Sequence, residues 1–426
     1  MSPILIDLLR GLLGVAGLLA IALACSENRR AIDWRIVGGG LSLQLLLGLL
    51  FLVVPGGAAV FGLLADFFVA VTGFTREGTE FLFGKVLGNP AELEKRFGAG
   101  FGLVFAFHVL PTIIFFSALC SVLYYLGVLQ RVVWAFAWVT QRFMRLSGAE
   151  SLATAAEIFL GQTESPLLIK PYVSRLTRSE LFALMTGGMA TIAGGVLVAY
   201  IQILGGTDPA QQAAFARVLL CASFMAAPAG LVIAKILVPQ TLAIDENLFV
   251  PKEKLGANFL DALANGTSEG LKLALNVGAM LIAFIAFAAM INAGLSRLHP
   301  DLSLDSIFGW LFAPVAWLIG VESNDVLGIG RLLGKKLVFN EFVAYLDLGL
   351  MKSEGTLSAK SVFLATFALC GFANFASIGI QLGGTGNLAP EQRPTMAALG
   401  FRALLGGTLA TLLTAALAGL LYPWSR

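Results

Sequence analysis

The chain has 426 residues, of which 58% are hydrophobic and only 13% charged, with a formal net charge of +2, and its mean hydropathy is +0.85. So little charge cannot cover a soluble protein of this length, and so small a net charge, with no basic cluster among aromatics, excludes a nucleic-acid partner. The four scattered cysteines and two histidines offer neither a disulfide framework nor metal-ligand spacing, so Cys25, Cys120, Cys221 and Cys370 are expected as buried free thiols.

Several apolar runs reach about 20 residues, enough to cross a hydrocarbon core roughly 30 Å thick, so the chain is read as a multi-span membrane protein. The first run lacks a basic leader, since Asp7 offsets Arg10, and is expected as a retained span rather than a signal peptide. Arg29, Arg30 and Arg35 come after it, which places that loop in the cytoplasm and the N-terminus in the periplasm. A second span, "IVGGGLSLQLLLGLLFLVVP", closes at Pro55-Gly56-Gly57. The short "VFGLLADFFVAVTGF" carries Asp66 and fits an interfacial helix, and "GTEFLFGKVLGNPAELEKRFGAGFG" reads as a glycine-rich connector.

"LVFAFHVLPTIIFFSALCSVLYYLGVL" is the next span, and its His108 is either a satisfied packing residue or a proton relay. A broken stretch comes next, "EIFLGQTESPLLIKP", and then an apolar run that Gly187-Gly188 and Gly194-Gly195 interrupt. A further span covers about Arg217 to Val238, and the polar linker "TLAIDENLFVPKEK" separates the two halves of the transporter-like part. Beyond it the order recurs: a clean span, a short apolar hairpin ending in "VFNEFVAY", a span broken at "CGFANFASIGI", and a closing span. The expected organisation is an N-terminal scaffold over 1–97, a first repeat over 98–240 and a second over 255–426. Gly- and polar-interrupted segments at matching places in two halves point to a transport site, since irregular backbone at membrane depth survives only inside protein or beside a water-filled cavity. Loop charges agree only in part. Lys170, Arg175 and Arg178 suit a first hairpin entering from the cytoplasm, but Lys335 and Lys336 oppose an inverted second one.

An acid at mid-membrane costs about 2.5–3.5 kcal/mol on insertion scales. Glu157 and Glu164 therefore lie either in a solvated cytoplasmic loop or at a hairpin tip that meets a polar solute. In the second half Asn340, Glu341, Asn374 and Ser377 form a like cluster, with Phe372 beside it. On a helix, 374 and 377 share a face. Singly these are packing residues and helix–helix contacts. Together, an aromatic face, carboxylates, amides and hydroxyls suit a ligand with a flat ring and vicinal hydroxyls.

"GQTESPLLIKP", "RLLGKKLVFNEFVAY" and "ALCGFANFASIGI", in that order, resemble the motifs of the concentrative nucleoside transporters, and the likeness runs from "SENRRAIDWR" to the last span. The resemblance implies an all-α fold of about eight transmembrane helices, an interfacial helix and two re-entrant hairpins in an inverted repeat, assembled as a homotrimer in a bacterial inner membrane. It implies secondary active import of uridine-like nucleosides with Na+ or H+, by an elevator-type motion and without covalent cofactor. The base would meet Gln162, Thr163, Glu164 and Val196, and the ribose would meet Glu341, Asn374 and Ser377, with Phe372 lining the site. The coupling cation would sit at residues 157, 160, 191 and 192. Leu160, Thr191 and Ile192 match that pattern, whereas Glu157 stands where a neutral asparagine is expected. As an anion Glu157 would be a hard oxygen ligand for Na+; buried without a cation it would carry a proton; or it would pair with Lys170 or Arg175. The alternative function is a membrane-embedded enzyme using Glu164 and Glu341 as an acid–base pair on a nucleotide or lipid-linked sugar, though no loop is long enough for an aqueous domain.

Overall fold

The computed structural model describes residues 3–98, 104–247 and 256–424, and they are helical almost throughout. The end of the polar linker, residues 248–255, lies outside the described residues. Helix α1 (Pro3–Ala24) is followed by α2 (Trp34–Leu52), which Asp33 caps by accepting the Arg35 amide at 2.9 Å. Helix α3 (Pro55–Gly88) is broken at Gly84, whose φ of 81° is in the left-handed region, and α4 (Pro90–Phe97) comes next. The expected glycine-rich connector is thus helical over most of its length. Asn89-Pro90, which resembles a loop signal, is an N-cap and first helical position, with the Asn89 side chain accepting the Ala91 amide. Ala65, Phe68, Val71, Thr75 and Thr79 are buried at spacings of three and four, so α3 packs by one face only.

A π-helical turn (Phe105–Val109) leads into α5 (Leu110–Tyr125). His108 is satisfied inside it. Its Nδ1 accepts the Val104 amide at 2.9 Å and its Nε2 lies 2.9 Å from the Leu87 carbonyl, which is the packing role. Then come α6 (Val128–Met144), α7 (Gly148–Glu157), the four-residue α8 (Ser165–Leu168) and α9 (Lys170–Val173), α10 (Arg178–Ala190), α11 (Gly194–Gly205) and α12 (Pro209–Leu237). The second series is α13 (Phe259–Leu298), α14 (Leu304–Leu318), α15 (Val326–Val338), α16 (Glu341–Ser353), α17 (Ala359–Leu369), α18 (Phe375–Leu388) and α19 (Arg393–Leu421). Seven helical stretches among the described residues are long and apolar enough to cross a membrane. Helices α17 and α18, 11 and 14 residues long, share one further apolar run broken between them.

Helix α7 has 10 residues and α15 has 13. At about 1.5 Å per residue neither can traverse a core roughly 30 Å thick, so each goes in and comes back, α7 through α8 and α9, α15 through α16. Contacts with α1 fix the side from which each enters. At the C-terminal end of α1, Arg178 donates to Glu27 at 2.7 Å, beside the outer end of the first hairpin. That hydrogen bond, with Arg402 adding its charge, holds the Glu27 carboxyl below its usual range. At the N-terminal end of α1, Asp7 pairs with Lys360 and Arg10 donates to the Val321 carbonyl at 2.9 Å, both beside the outer end of the second hairpin. The hairpins therefore enter from opposite ends of the same span.

This disposition removes the charge conflict in the sequence. Lys335 and Lys336 belong to the last turn of α15, near the inner tip of the second hairpin. Lys335 is tied to Asp305 at 2.8 Å and to Asp347, and Lys336 is buried, so neither is a free loop charge. Helices α5 and α13 pack against each other, and the buried positions of α13, Ala262, Gly266, Gly270 and Ala274, recur every four residues. A methyl at Gly266 would lie 2.6 Å from Ser121 Cβ and one at Gly270 2.8 Å from Ile114 Cα, so small residues let these two backbones meet. Helices α10, α11 and α12 form the fully buried centre. All four cysteines are free, but Cys25 is exposed at the end of α1, because its apolar run stops just before it.

Candidate functional site

The two broken spans cross at this centre. In the first, α10 ends at Ala190, Thr191–Ala193 are extended, and α11 restarts at Gly194. The break therefore falls after Gly187-Gly188, which lie inside α10. In the second, α17 ends at Leu369 and α18 restarts at Phe375. The breaks touch: the Phe372 amide donates to the Thr191 carbonyl at 3.3 Å. Only glycine fits at 371, since a Cβ there would lie 2.6 Å from the Ala190 carbonyl oxygen.

A chain of hydrogen bonds runs through the crossing. Glu341, the first residue of α16, accepts from the Asn374 amide at 2.9 Å and from the Tyr200 hydroxyl at 3.2 Å. Asn374 is the N-cap of α18, and its side-chain oxygen accepts the Ser377 amide at 2.9 Å. The pair thus meets through a cap rather than by sharing a helical face. The Ser377 hydroxyl accepts from Gln162 Nε2 at 3.0 Å, and Gln162 in turn accepts from Gln381 at 3.1 Å. Gln162, Glu341, Asn374 and Ser377 are all at most 8% exposed, which excludes the solvated-loop reading of the first hairpin tip. Helices α16 and α18 begin here, so the positive ends of two helix dipoles face the Glu341 carboxylate and any polar ligand beside it.

The other expected residues lie around this chain. Thr163 rests on α18 against Gly384, Phe372 is half-buried at the break, and Val196 is buried in the first turn of α11. Glu164 does not join the hydrogen-bonded chain. It lines a cavity of about 440 Å³ with Leu160, Phe116, Asn265 and Glu269, between the hairpin tip and helices α5 and α13, and its Oε2 has no partner among the described residues.

Glu157 ends α7, 1% exposed, and neither carboxylate oxygen has a hydrogen-bond partner among the described residues. Lys170 and Arg175 are both exposed and make no ion pair with it, so of the three alternatives open in the sequence the structural pairing is not found among the described residues. The carboxylate instead presses on α10, where a Cβ at Gly187 would lie 2.2 Å from Glu157 Oε2. Leu160, Thr191 and Ile192 border the same junction of hairpin and break. The Thr191 hydroxyl is engaged, donating to the Gly187 carbonyl at 2.9 Å. A buried carboxylate with no counter-ion, near the Ser165 hydroxyl and next to extended backbone, fits a small hard cation or a proton.

Sequence reasoning missed Tyr200, Gln381 and Lys336. Tyr200 stacks on Tyr345 with ring centroids 4.1 Å apart while its hydroxyl holds Glu341. Gln381 lies one helical turn after Ser377, and that spacing was its available signal. Lys336, which reads as a loop charge, donates to the Ala368 carbonyl at 2.8 Å and to Thr411 at 3.0 Å.

Comparison with known proteins adds independent findings. Residues 13–86 and 218–419 match the N-terminal and C-terminal family models described as "Na+ dependent nucleoside transporter", and 106–207 match one described as "Nucleoside recognition". An uncharacterised transporter of Haemophilus influenzae is 44% identical, with 97% of this chain and 98% of that protein covered. The nucleoside permease NupC of Helicobacter pylori is 40% identical over 96% of each. Sodium/nucleoside cotransporter 1 of Rattus norvegicus is 39% identical over 96% of this chain and 63% of its own length. The inward-facing, substrate-bound structure of CNTnw superposes with a TM-score of 0.91 at 41% identity, covering 98% of each chain.

Proposed function

The chain belongs to the Na+-dependent nucleoside transporter family, and from that premise we propose that it imports uridine-like nucleosides into a bacterial cell by symport with Na+ or H+. The observation that carries the reading is the buried chain Gln162–Ser377–Asn374–Glu341, which joins two hairpin tips and a helix break. Opening the Gln162–Ser377 contact would free an amide and a hydroxyl, and Glu341 with Asn374 presents the acceptor and donor that ribose hydroxyls require. Glu164, Thr163, Val196 and Phe372 complete the wall around the base, Glu164 approaching once the tip shifts.

The cation sits at Glu157 with the carbonyls of Leu160, Thr191 and Ile192. Nucleoside and cation both hold the first hairpin against the broken span, so each raises the affinity for the other. Solved structures of the relative CNTnw include inward-facing and outward-facing states, and alternating access here is proposed as an elevator motion within a homotrimer. The exposed apolar faces of α3 and α13, with Phe74, Phe81, Leu275 and Ile282, suit lipid and subunit contact.

Gly187→Ala is expected to push the Glu157 carboxylate off α10 and to raise the cation concentration for half-maximal uptake about tenfold, or ~1.4 kcal/mol. A titration of uptake against Na+ and against pH, each varied alone, measures it; an unchanged half-saturation would contradict this placement. Transport itself is tested with radiolabelled uridine in proteoliposomes: unchanged uridine accumulating inside supports the reading, and conversion to a product favours the enzyme alternative.

A further inference from the structure

Lys336 is 3% exposed and near mid-span, in the last turn of α15, just ahead of Asn340 and Glu341. Its ammonium donates to the Ala368 carbonyl at 2.8 Å and to the Thr411 hydroxyl on α19 at 3.0 Å. In an unbroken helix that carbonyl would accept the Phe372 amide, but the break turns this amide to Thr191 instead. The lysine therefore occupies the acceptor that unwinding sets free. It makes no ion pair with a carboxylate among the described residues, although its charge acts on Glu341. An ammonium at this depth is tolerated only with such acceptors around it.

The first repeat builds the same junction from a hairpin arm, a broken span and a closing helix. Glu157 ends the arm α7, the break comes after α10, and Ser223 on α12 donates to the Ile158 carbonyl at 3.2 Å. The buried cation of this repeat, Lys235 on α12, pairs with Glu150 near the start of α7 at 2.7 Å, and Glu157 at the end of that arm has no ion-pair partner among the described residues. One junction thus carries an attached cation at the break and the other an anion without a counter-ion among the described residues.

We propose that Lys336 is a tethered cation, a positioning residue that does for the second hairpin what the mobile coupling cation does for the first. It pins the tip of α15 and α16 to the unwound end of α17 and so sets Glu341 at the angle the ribose needs. The second hairpin is then held at every stage of the cycle, and dependence on a mobile ion is confined to the first. The inference rests on the assignment of Glu341 to the nucleoside.

A cavity of about 340 Å³, lined by Leu18, Phe312, Lys336 and Thr411, abuts the ammonium and gives a small amine room to enter once the side chain is shortened. In proteoliposomes, Lys336→Ala is expected to raise the KM for uridine about tenfold or more, with a smaller fall in maximal rate and no change in cation half-saturation at saturating uridine. Propylammonium should restore the KM and 1-propanol should not. Thr411→Val, which removes one acceptor and keeps the volume, is expected to raise KM about threefold, near 0.7 kcal/mol. Wild-type KM in both variants overturns the proposal, as does rescue by the alcohol equal to that by the amine. If Lys336→Ala yields no folded protein, Thr411→Val decides alone by the same criterion. Glu341→Gln is measured alongside. Normal uridine KM in that control sinks the nucleoside assignment itself, whereas its loss beside normal Lys336→Ala and Thr411→Val sinks only the tethered cation.

Discussion

Glu341→Gln is expected to lower uridine uptake by about 100-fold or more while leaving the protein folded. Hydrogen bonds to a charged acceptor contribute about 1.5–3 kcal/mol each, and on the proposed assignment the carboxylate accepts two from vicinal hydroxyls, so losing its charge removes about 3 kcal/mol. The substitution also puts an amide NH2 against the Asn374 NH2 or the Tyr200 hydroxyl, where the carboxylate now accepts at 2.9 and 3.2 Å. Side-chain size is conserved, so thermal midpoint and elution volume should stay near wild type. Uptake within threefold of wild type would remove Glu341 from the site.

Glu157→Leu is expected to abolish concentrative uptake altogether. Leucine can neither give up a proton nor offer an oxygen to Na+, so both forms of coupling that a buried carboxylate supports disappear together. Uridine should still equilibrate, with the ratio of internal to external uridine falling to about one, because the hairpin and the ribose contacts remain. The measurement is that ratio in proteoliposomes under an imposed Na+ gradient and, separately, an imposed pH gradient. The wild-type protein assigns the ion, since only one gradient should drive it. Accumulation by the variant under the same gradient as wild type would show that Glu157 is no part of coupling.

Much of this architecture is legible in the sequence because membrane helices must satisfy their own backbone, so apolar length and interruption carry the topology. The polar clusters at Gln162 and at Asn374–Ser377 stand out for the same reason: lipid alone would not tolerate them. Hidden from sequence are roles that depend on a partner far along the chain. Gly187 and Gly188 look like helix breakers, yet they sit inside α10 and provide clearance, a Cβ there meeting Glu157 Oε2 at 2.2 Å and Gln162 Cβ at 2.9 Å. Lys336 looks like a loop charge because its acceptors, Ala368 and Thr411, are remote in sequence. Helix α4 reads as a connector because Asn-Pro marks both turns and helix starts, and only the cap geometry tells them apart. Glu164 is the reverse case. Adjacency groups it with Gln162, whereas two residues along a tight tip carry it to another cavity.

The most direct test is a density map of the protein with uridine bound. The nucleobase should lie against Gln162 and Thr163, with the Gln162–Ser377 contact opened and the ribose hydroxyls on Glu341 and Asn374. Uridine density elsewhere, with the bond from Gln162 to Ser377 and the bond from Asn374 to Glu341 both still closed, would contradict the assignment of this crossing as the nucleoside site.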